Sequence, residues 1–155
     1  MKEIQDRRAK VVIPNGRPLH EYANLYICAR NPMMYKRRHR HAVLCVLRIS
    51  TELMDLSGVV ISDGNAASKY VRFAPAPDGL AIVNRVLTFA ENWNHENPIQ
   101  KYQGASAKGA EVLVPDFIPP KFLMGIYVSC DEALAQFNAL GVKLQAEING
   151  HLFFQ

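Results

Sequence analysis

The segment from Ala110 to Pro115 restricts the fold most strongly, because it joins a carboxylate to three consecutive aliphatic residues, Val112-Leu113-Val114. A short run of branched side chains that ends at a proline predicts a buried β-strand. Glu111, at the start of this run, is costly to remove from water unless it faces a cavity or has partners. Two interpretations stay open: a glutamate at a strand edge that points to water, as is usual for this residue type, or a functional carboxylate.

The overall composition predicts a single folded domain over residues 1–155. A chain of 155 residues is long enough to bury a core, and its 49% hydrophobic content is typical of a globular protein. Apolar runs stay well short of the roughly 18 residues that a membrane helix needs. We therefore expect no contact with a membrane.

The compartment and the absence of a metal are inferred from the N-terminus and the cysteines. The first residues, from Lys2 to Arg8, are charged and do not resemble a signal peptide. Cys28, Cys45 and Cys130 are odd in number and far apart, which is typical of reduced thiols in the cytoplasm. Neither a Cys-x-x-Cys nor a His-x-x-x-His pair is present, so we expect no metal site.

A basic run covers residues 36–41 with the sequence Lys-Arg-Arg-His-Arg-His, and the whole chain has a net charge of +4. Such a run is solvated, and one interpretation is an ordinary basic surface loop. The other is a phosphate-binding loop, whose affinity for nucleic acid would fall steeply with salt.

The patterns along the chain predict a mixed α+β domain. Strands are predicted at residues 25–29, 42–49, 58–62, 111–114, 125–128, 142–146 and 152–154, and helices at 4–10, 33–35, 80–93 and 131–140. Residues 94–109 are polar and without periodicity, so they are predicted to form a long loop, which in a small domain is usually functional or mobile. A glycine-rich phosphate loop is not found in the sequence.

Four motifs, taken in order, are similar to those of the DarT family of DNA ADP-ribosyltransferase toxins. They are Ile-Gln-Asp-Arg-Arg at residues 4–8, Leu-His-Glu-Tyr-Ala-Asn-Leu-Tyr at 19–26, Ala-Arg-Asn-Pro-Met-Met-Tyr at 29–35, and Ala-Glu-Val-Leu-Val-Pro at 110–115. The resemblance extends from Ile4 to about Val128. No single motif is decisive, and the ordered set carries the resemblance.

The resemblance implies an ADP-ribosyltransferase fold, in which two packed β-sheets with flanking short helices form a cleft for NAD. It implies that ADP-ribose is transferred from NAD to a base in single-stranded DNA, thymine or guanine, with release of nicotinamide. NAD is then a co-substrate, and the protein partner is a macrodomain antitoxin that removes the modification. We expect the chain to act as a monomer.

The resemblance also assigns roles to individual residues. Glu111 corresponds to the catalytic glutamate. Arg7 or Arg8 corresponds to the catalytic arginine; Arg7 is favoured, and Arg8 is then an NAD contact. The residues that line the cleft are Tyr22, Tyr26, Arg30, Met33 and Met34, and the predicted DNA contacts are Lys36, Arg37, Arg38, Arg40, Lys101, Tyr102 and Lys108.

Most of these residues also have a structural interpretation. Tyr22 and Tyr26, four residues apart, are also expected in a core, and Arg30 is also suited to capping the helix that begins near Pro32. Met33 and Met34 are suited to packing. Trp93 is either a core anchor at a helix end or a platform on which a DNA base stacks.

One departure from the family bears on activity. Family members carry a His-x-Thr motif on a strand that precedes the arginine and holds the nicotinamide end of NAD. No such motif precedes Ile4 here, and His20 follows the arginines. Three hypotheses therefore stay open: a DNA ADP-ribosyltransferase, a truncated or degenerate inactive chain that binds single-stranded nucleic acid, and an ADP-ribosyltransferase with a protein or RNA target.

Overall fold

The computed structural model describes residues 2–154, except the side chains of Lys2, Ile4 and Arg7. The α-helices are α1 (Lys2–Ala9), α2 (Pro32–Lys36), α3 (Arg85–Phe89), α4 (Pro98–Ala107) and α5 (Asp131–Ala139). The strands are β1 (Tyr22–Tyr26), β2 (Cys45–Ile49), β3 (Val60–Ser62), β4 (Phe73–Pro75), β5 (Glu111–Pro115), β6 (Leu123–Val128) and β7 (Ala146–Ile148). The predicted combination of helices with two sheets is confirmed.

Backbone contacts divide the chain into two units, each with its own sheet. The first unit contains Met1–Cys28 and Met54–Ile118, and the second contains Ala29–Leu53 and Pro119–Gln155. The prediction of one domain over residues 1–155 stays a prediction.

The first unit is built on an antiparallel sheet with the strand order β1-β5-β3-β4. The aliphatic strand β5 lies in the interior of this sheet, between β1 and β3. Glu111 is paired with Tyr26 of β1 on one side and with Ser62 of β3 on the other. Leu113 packs in the core of this unit with Ile13, Leu19, Tyr22 and Ala66.

The second unit contains a three-stranded sheet with the order β2-β6-β7, in which β2 and β6 are antiparallel and β6 and β7 are parallel. Ile126 and Val128 of β6 pack with Ala133 of α5 in its core. Helix α5 confirms the predicted helix at 131–140, to within one residue at its C-terminal end.

The predicted loop at 94–109 is wrong, because residues 98–107 form α4. The side chain of Asn97 caps this helix by accepting hydrogen bonds from the backbone N–H groups of Ile99 and Gln100, and Pro98 occupies the first turn. Only the small residues Gly104 and Ala107 of α4 are buried. A buried face of small residues gives no hydrophobic periodicity, which explains why the sequence pattern missed the helix.

Four other segments differ from the prediction. The helix predicted at 80–93 is a 3₁₀ helix at Asp78–Ile82 followed by α3, because the extended backbone at Val83 and Asn84 separates them. The strands predicted at 142–146 and 152–154 are replaced by β7 and by a 3₁₀ helix at Gly150–Leu152. The basic run is not a loop, since it continues from the end of α2 into a 3₁₀ helix at Arg38–Val43.

Substitution of Gly125 by alanine is expected to destabilise the second unit. Gly125 has φ +152°, and a Cβ atom there would lie 2.8 Å from the carbonyl oxygen of Gln145. Gly141 has φ +66°, and a Cβ atom there would have nothing within 4 Å, so this position isolates the backbone effect. In urea unfolding, Gly125→Ala should lower the free energy of unfolding by about 2–3 kcal/mol and Gly141→Ala by about 1 kcal/mol. If both variants lose the same free energy of unfolding, the contact with Gln145 does not contribute to the destabilisation.

Candidate active site

The carboxylate of Glu111 is buried at the start of β5, with only 4% of the residue exposed. Burial raises its pKa from 4.5 to about 6, because removal from water penalises the charged form more than the partners of the carboxyl favour it. The interpretation of Glu111 as a glutamate that points to water is therefore wrong. The carboxyl group is nevertheless ionised at neutral pH.

Asn24 holds this carboxyl group in place. Its Nδ2 donates a hydrogen bond to Oε2 of Glu111, and the backbone N–H of Ala66 also donates to the carboxyl. Asn24 is paired with Leu113 in the β1–β5 ladder, so it is the diagonal neighbour of Glu111 on the same face of the sheet. Both hydrogen bonds favour the ionised carboxylate and lower its pKa, against the larger effect of burial.

Arg8 completes the arrangement. Its Nη2 donates to Oδ1 of Asn24 and to the carbonyl oxygens of Leu19 and Tyr22, at 3.3 and 3.1 Å. A guanidinium only donates hydrogen bonds and a carboxylate only accepts them, so the amide of Asn24 has one orientation that satisfies both. We call Arg8, Asn24 and Glu111 the carboxylate network.

Sequence reasoning assigned no role to Asn24, although its motif was part of the resemblance. The signal available in the sequence is the alternation Tyr22, Asn24, Tyr26, which places three polar-tipped side chains on one face of a strand. That signal becomes meaningful only when β1 is known to pair with β5. Tyr26, the direct partner of Glu111, is 39% exposed and remains a candidate for contact with substrate.

Arg7 and Tyr22 are two other predicted residues of the first unit. The side chain of Arg7 lies outside the described residues, so its predicted catalytic role stays a prediction. Tyr22 is buried in the core, and its Oη accepts a hydrogen bond from the backbone N–H of Arg17 at 3.3 Å. This placement favours the packing interpretation of Tyr22 over a cofactor contact.

Lys108 requires a correction. It was predicted to contact a DNA phosphate, but its exposed fraction is 0%. Its ammonium group donates to the backbone carbonyls of Thr88, at 3.2 Å, and of Ala90. A side chain held inside the protein in this way does not reach a phosphate in solvent.

Lys101 and Tyr102 lie on α4 as exposed side chains, and their predicted contact with DNA stays a prediction. A cavity of about 260 Å³ adjoins this helix, and its lining includes Trp93, His95, Gln100 and Gln103. Trp93 is half-buried, and a methyl group added at Gly104 would lie 3.2 Å from its Cβ. The cavity lining contains no member of the carboxylate network.

In the second unit, Arg30 anchors the C-terminal segment. Its Nη1 donates to the carbonyl oxygens of His151 and Phe153, at 2.6 and 3.0 Å, and its guanidinium lies 4.2 Å from the ring centroid of Phe154. The cap of α2 is formed by Asn31, whose Oδ1 accepts from the two following methionines. The alternative that Arg30 caps this helix is therefore wrong.

The remaining predicted residues of the second unit lie on or next to α2. Met33 and the basic side chains are exposed, and Met34 is partly buried. Arg38 lies over the ring of Tyr35 at 4.3 Å and donates to its carbonyl oxygen. The exposed basic side chains are Lys36, Arg37, Arg38 and Arg40.

The described part of the chain offers neither a metal site nor a membrane span. Among residues 2–154, no group of three or more His, Cys, Asp or Glu side chains is placed to hold a metal ion. Over the same residues, the helices are too short or too polar to span a bilayer.

Substitution of Glu111 by glutamine should remove a pH dependence of stability. The folded-state pKa of about 6 lies above the ordinary 4.5, so the stabilisation by the protonated acid is complete below pH 4.5 and is lost as the pH rises through 6. Glu111→Gln should therefore be more stable than the parent chain by about 2 kcal/mol at pH 8, and this advantage should vanish toward pH 4. Urea unfolding between pH 4 and pH 8 measures the difference.

The matched control is Glu132→Gln, at an exposed position of α5. Because its side chain is exposed, Glu132→Gln should change the free energy of unfolding at pH 8 by much less than Glu111→Gln does. If Glu111→Gln differs from the parent by the same amount at pH 4 and pH 8, the carboxyl does not titrate as inferred.

Comparison with known proteins places this chain in a family. Over residues 1–154 the chain matches the family model described as "DarT: ssDNA thymidine ADP-ribosyltransferase, DarT". A DNA ADP-ribosyl transferase–DNA ADP-ribosyl glycohydrolase fusion protein of Thermosipho africanus is 30% identical over 131 residues, which are 81% of this chain and 32% of that protein. A DNA ADP-ribosyl transferase of Mycobacterium tuberculosis is 30% identical over 144 residues, 84% of this chain and 60% of that protein.

Solved structures show the same fold. Thermosipho africanus DarTG in complex with ADP-ribose matches with a TM-score of 0.79 at 24% identity, over 99% of this chain and 41% of that one. Thermus sp. 2.9 DarT in complex with NAD⁺ matches with a TM-score of 0.77 at 22% identity, over 96% and 80%. The chain spans about a third of the Thermosipho fusion protein and 60% of the mycobacterial relative. Because the family model matches nearly every residue, the chain belongs to the DarT family.

Proposed function

We propose that this chain transfers ADP-ribose from NAD to a thymidine of single-stranded DNA and releases nicotinamide. The observation that carries the proposal is the carboxylate network, in which a buried glutamate accepts a hydrogen bond from Asn24, and Asn24 accepts one from Arg8. The family description names single-stranded DNA and thymidine. It favours this target over guanine, protein or RNA.

The chemistry suits a buried carboxylate. When the bond between nicotinamide and ribose breaks, its electrons leave with nicotinamide and positive charge develops on the ribose. A carboxylate that accepts a hydrogen bond from a ribose hydroxyl stabilises this charge. The interaction is strong in a site from which water is excluded. Glu111 has this burial, and Asn24 fixes the direction in which its carboxyl points.

Arg8 acts in this proposal as a positioning residue. Its guanidinium bonds Asn24 and two backbone carbonyls, and it reaches Glu111 through the amide of Asn24. Arg7 remains the candidate for direct contact with NAD, where a guanidinium suits a phosphate or the polarisation of the acceptor base. Tyr26, Arg30 and Met33 remain proposed NAD contacts.

DNA binding is proposed for the exposed basic and aromatic side chains. Lys101 and Tyr102 on α4 offer a phosphate contact and a stacking platform, and Trp93 lines the adjoining cavity. The basic run on and after α2 offers further phosphate contacts. The target base must be unpaired to be reached, which fits single-stranded DNA.

The proposal extends to the cellular setting. The Thermosipho relative is a fusion of a DNA ADP-ribosyl transferase with a DNA ADP-ribosyl glycohydrolase. We infer a toxin whose partner is a macrodomain antitoxin that removes ADP-ribose from DNA. A cytoplasmic monomer remains our expectation.

Transfer should depend on Glu111. The purified chain, incubated with NAD and a thymidine-containing oligonucleotide, is expected to release nicotinamide and to add one ADP-ribose to the oligonucleotide, as read by mass spectrometry. Glu111→Ala should lower the rate by at least about 100-fold, because it removes the group that stabilises the developing charge. The rate of the parent chain should rise with pH through about 6 as the carboxyl ionises.

Glu132→Ala, at an exposed position of α5, controls for the loss of a glutamate and should keep the parent rate. Arg8→Lys should lower the rate without changing the secondary structure, since an ammonium cannot reproduce the guanidinium contacts. A Glu111→Ala variant as fast as the parent would reject the site. If the parent chain binds DNA but releases no nicotinamide, the proposed enzymatic activity is rejected.

The basic run should control the salt dependence of DNA binding. Replacement of Lys36, Arg37, Arg38 and Arg40 by glutamine should reduce the slope of log affinity against log salt by up to about 3, at about 0.7 for each phosphate contact on a single strand. All four side chains are exposed, so the fold should persist. Fluorescence anisotropy with a labelled oligonucleotide measures the slope.

Lys143→Gln, at an exposed position of the same unit, should leave this slope unchanged. If the fourfold variant has the slope of the parent chain, the run is only a solvated surface.

A further inference from the structure

We propose that Lys108 and Thr88 form a buried brace that positions residues 91–107 relative to Glu111, and that this brace controls transfer to DNA more than cleavage of NAD. The inference rests on the proposed function and adds two positioning residues to it. Neither residue belongs to the carboxylate network.

The two side chains are fully buried and bond reciprocally. Nζ of Lys108 donates to the carbonyl oxygens of Thr88, at 3.2 Å, and of Ala90, and it lies 3.8 Å from Sγ of Cys28. Oγ1 of Thr88 donates to the carbonyl oxygen of Ala107 at 3.0 Å. Each side chain therefore bonds the main chain at, or next to, the other residue.

These bonds join the ends of two helices. Thr88 and Ala90 lie at the C-terminal end of α3, where carbonyl groups lack partners within the helix and the helix dipole favours a cation. Ala107 is the last residue of α4, and Lys108 follows it. These bonds therefore hold together the two ends of the segment 91–107. We call this segment the lobe, and it carries Trp93, Lys101 and Tyr102.

The buried ammonium group of the brace is expected to stabilise the fold less than an apolar side chain would. An ammonium group removed from water costs free energy that an apolar side chain of similar size would not. Among the ion pairs of the described residues, none contains Lys108. Directed hydrogen bonds to two carbonyls define a geometry that apolar packing does not define. This favours a positioning role.

The link from the brace to Glu111 is short and fixed. The backbone N–H groups of Gly109 and Ala110 donate to the carbonyls of Ser106 and Ala107, at 2.9 and 3.1 Å. The carbonyl of Ala110 accepts from the N–H of Ile27 at 3.0 Å. A shift at the brace therefore changes where the lobe presents its DNA contacts relative to the carboxylate. The hydrogen bonds that hold Glu111 come from Asn24 and Ala66, outside the brace, and should persist.

Thr88→Val tests the brace, since it removes the hydroxyl donor with little change in size, and Thr88→Ser is the matched control that keeps the donor. For Thr88→Val we expect KM for a thymidine-containing oligonucleotide to rise roughly tenfold, because the lobe is misplaced. NAD hydrolysis without DNA should stay within about twofold of the parent, because the carboxylate network is unchanged. Thr88→Ser should match the parent in both reactions.

A second measurement does not depend on activity. Hydrogen exchange of the backbone amides of residues 91–107 should accelerate in Thr88→Val but not in Thr88→Ser. Lys108→Met, which removes the other half of the brace, should show the same acceleration and serves as the second variant if Thr88→Val does not fold.

The outcomes separate the brace from the proposed function. Equal losses of NAD hydrolysis and DNA transfer in Thr88→Val, or no loss of either, would overturn the positioning role. If the parent chain neither hydrolyses NAD nor modifies DNA, the proposed function fails. Unchanged exchange of residues 91–107 in Thr88→Val would overturn the brace itself.

Discussion

The buried carboxylate of Glu111 is the constraint on which the site depends. An ionised carboxyl at this depth is tolerated because Asn24 and the backbone of Ala66 donate to it, and because the positive charge of Arg8 lies beyond the amide. Burial nevertheless dominates, so its pKa is raised to about 6. The carboxyl group is therefore destabilised by burial and still charged at neutral pH, which suits the proposed stabilisation of a developing cation.

Two charged side chains are buried among the described residues of the first unit, and they are held differently. Glu111 is bonded through a side-chain amide that is itself held by an arginine, so its direction is set by other functional groups. Lys108 is bonded by backbone carbonyls at a helix end, so its direction is set by secondary structure. The first arrangement leaves a group that can act on a substrate. The second directs its donors to the protein interior, which is why we assign it to positioning.

The residue type alone does not predict which side chains are exposed, because tertiary contacts decide this. Lys108 and Lys101 are lysines of one polar segment, yet Lys108 is buried at the base of α4 and Lys101 lies exposed on it. Helix α4 itself was missed because its buried face is made of small residues, so the usual periodicity is absent. The helix cap that was one interpretation of Arg30 is formed by Asn31, and Arg30 binds the carbonyls of residues 151 and 153, more than 100 positions away in the sequence.

The sequence by itself determined that residues 111–114 form a strand with a carboxylate at its start, because a run of branched aliphatic residues that ends at a proline has few alternatives. The ordered motifs also determined the family. Only the tertiary structure decided which side chains meet that carboxylate. Asn24 is 87 positions from Glu111, and the two meet because β1 pairs with β5 in one register. Arg8, which lies on α1 and 16 positions from Asn24, is held beside them by its bonds to the carbonyls of Leu19 and Tyr22. Strand register depends on the packing of whole faces, and local sequence does not encode which strand will be the neighbour.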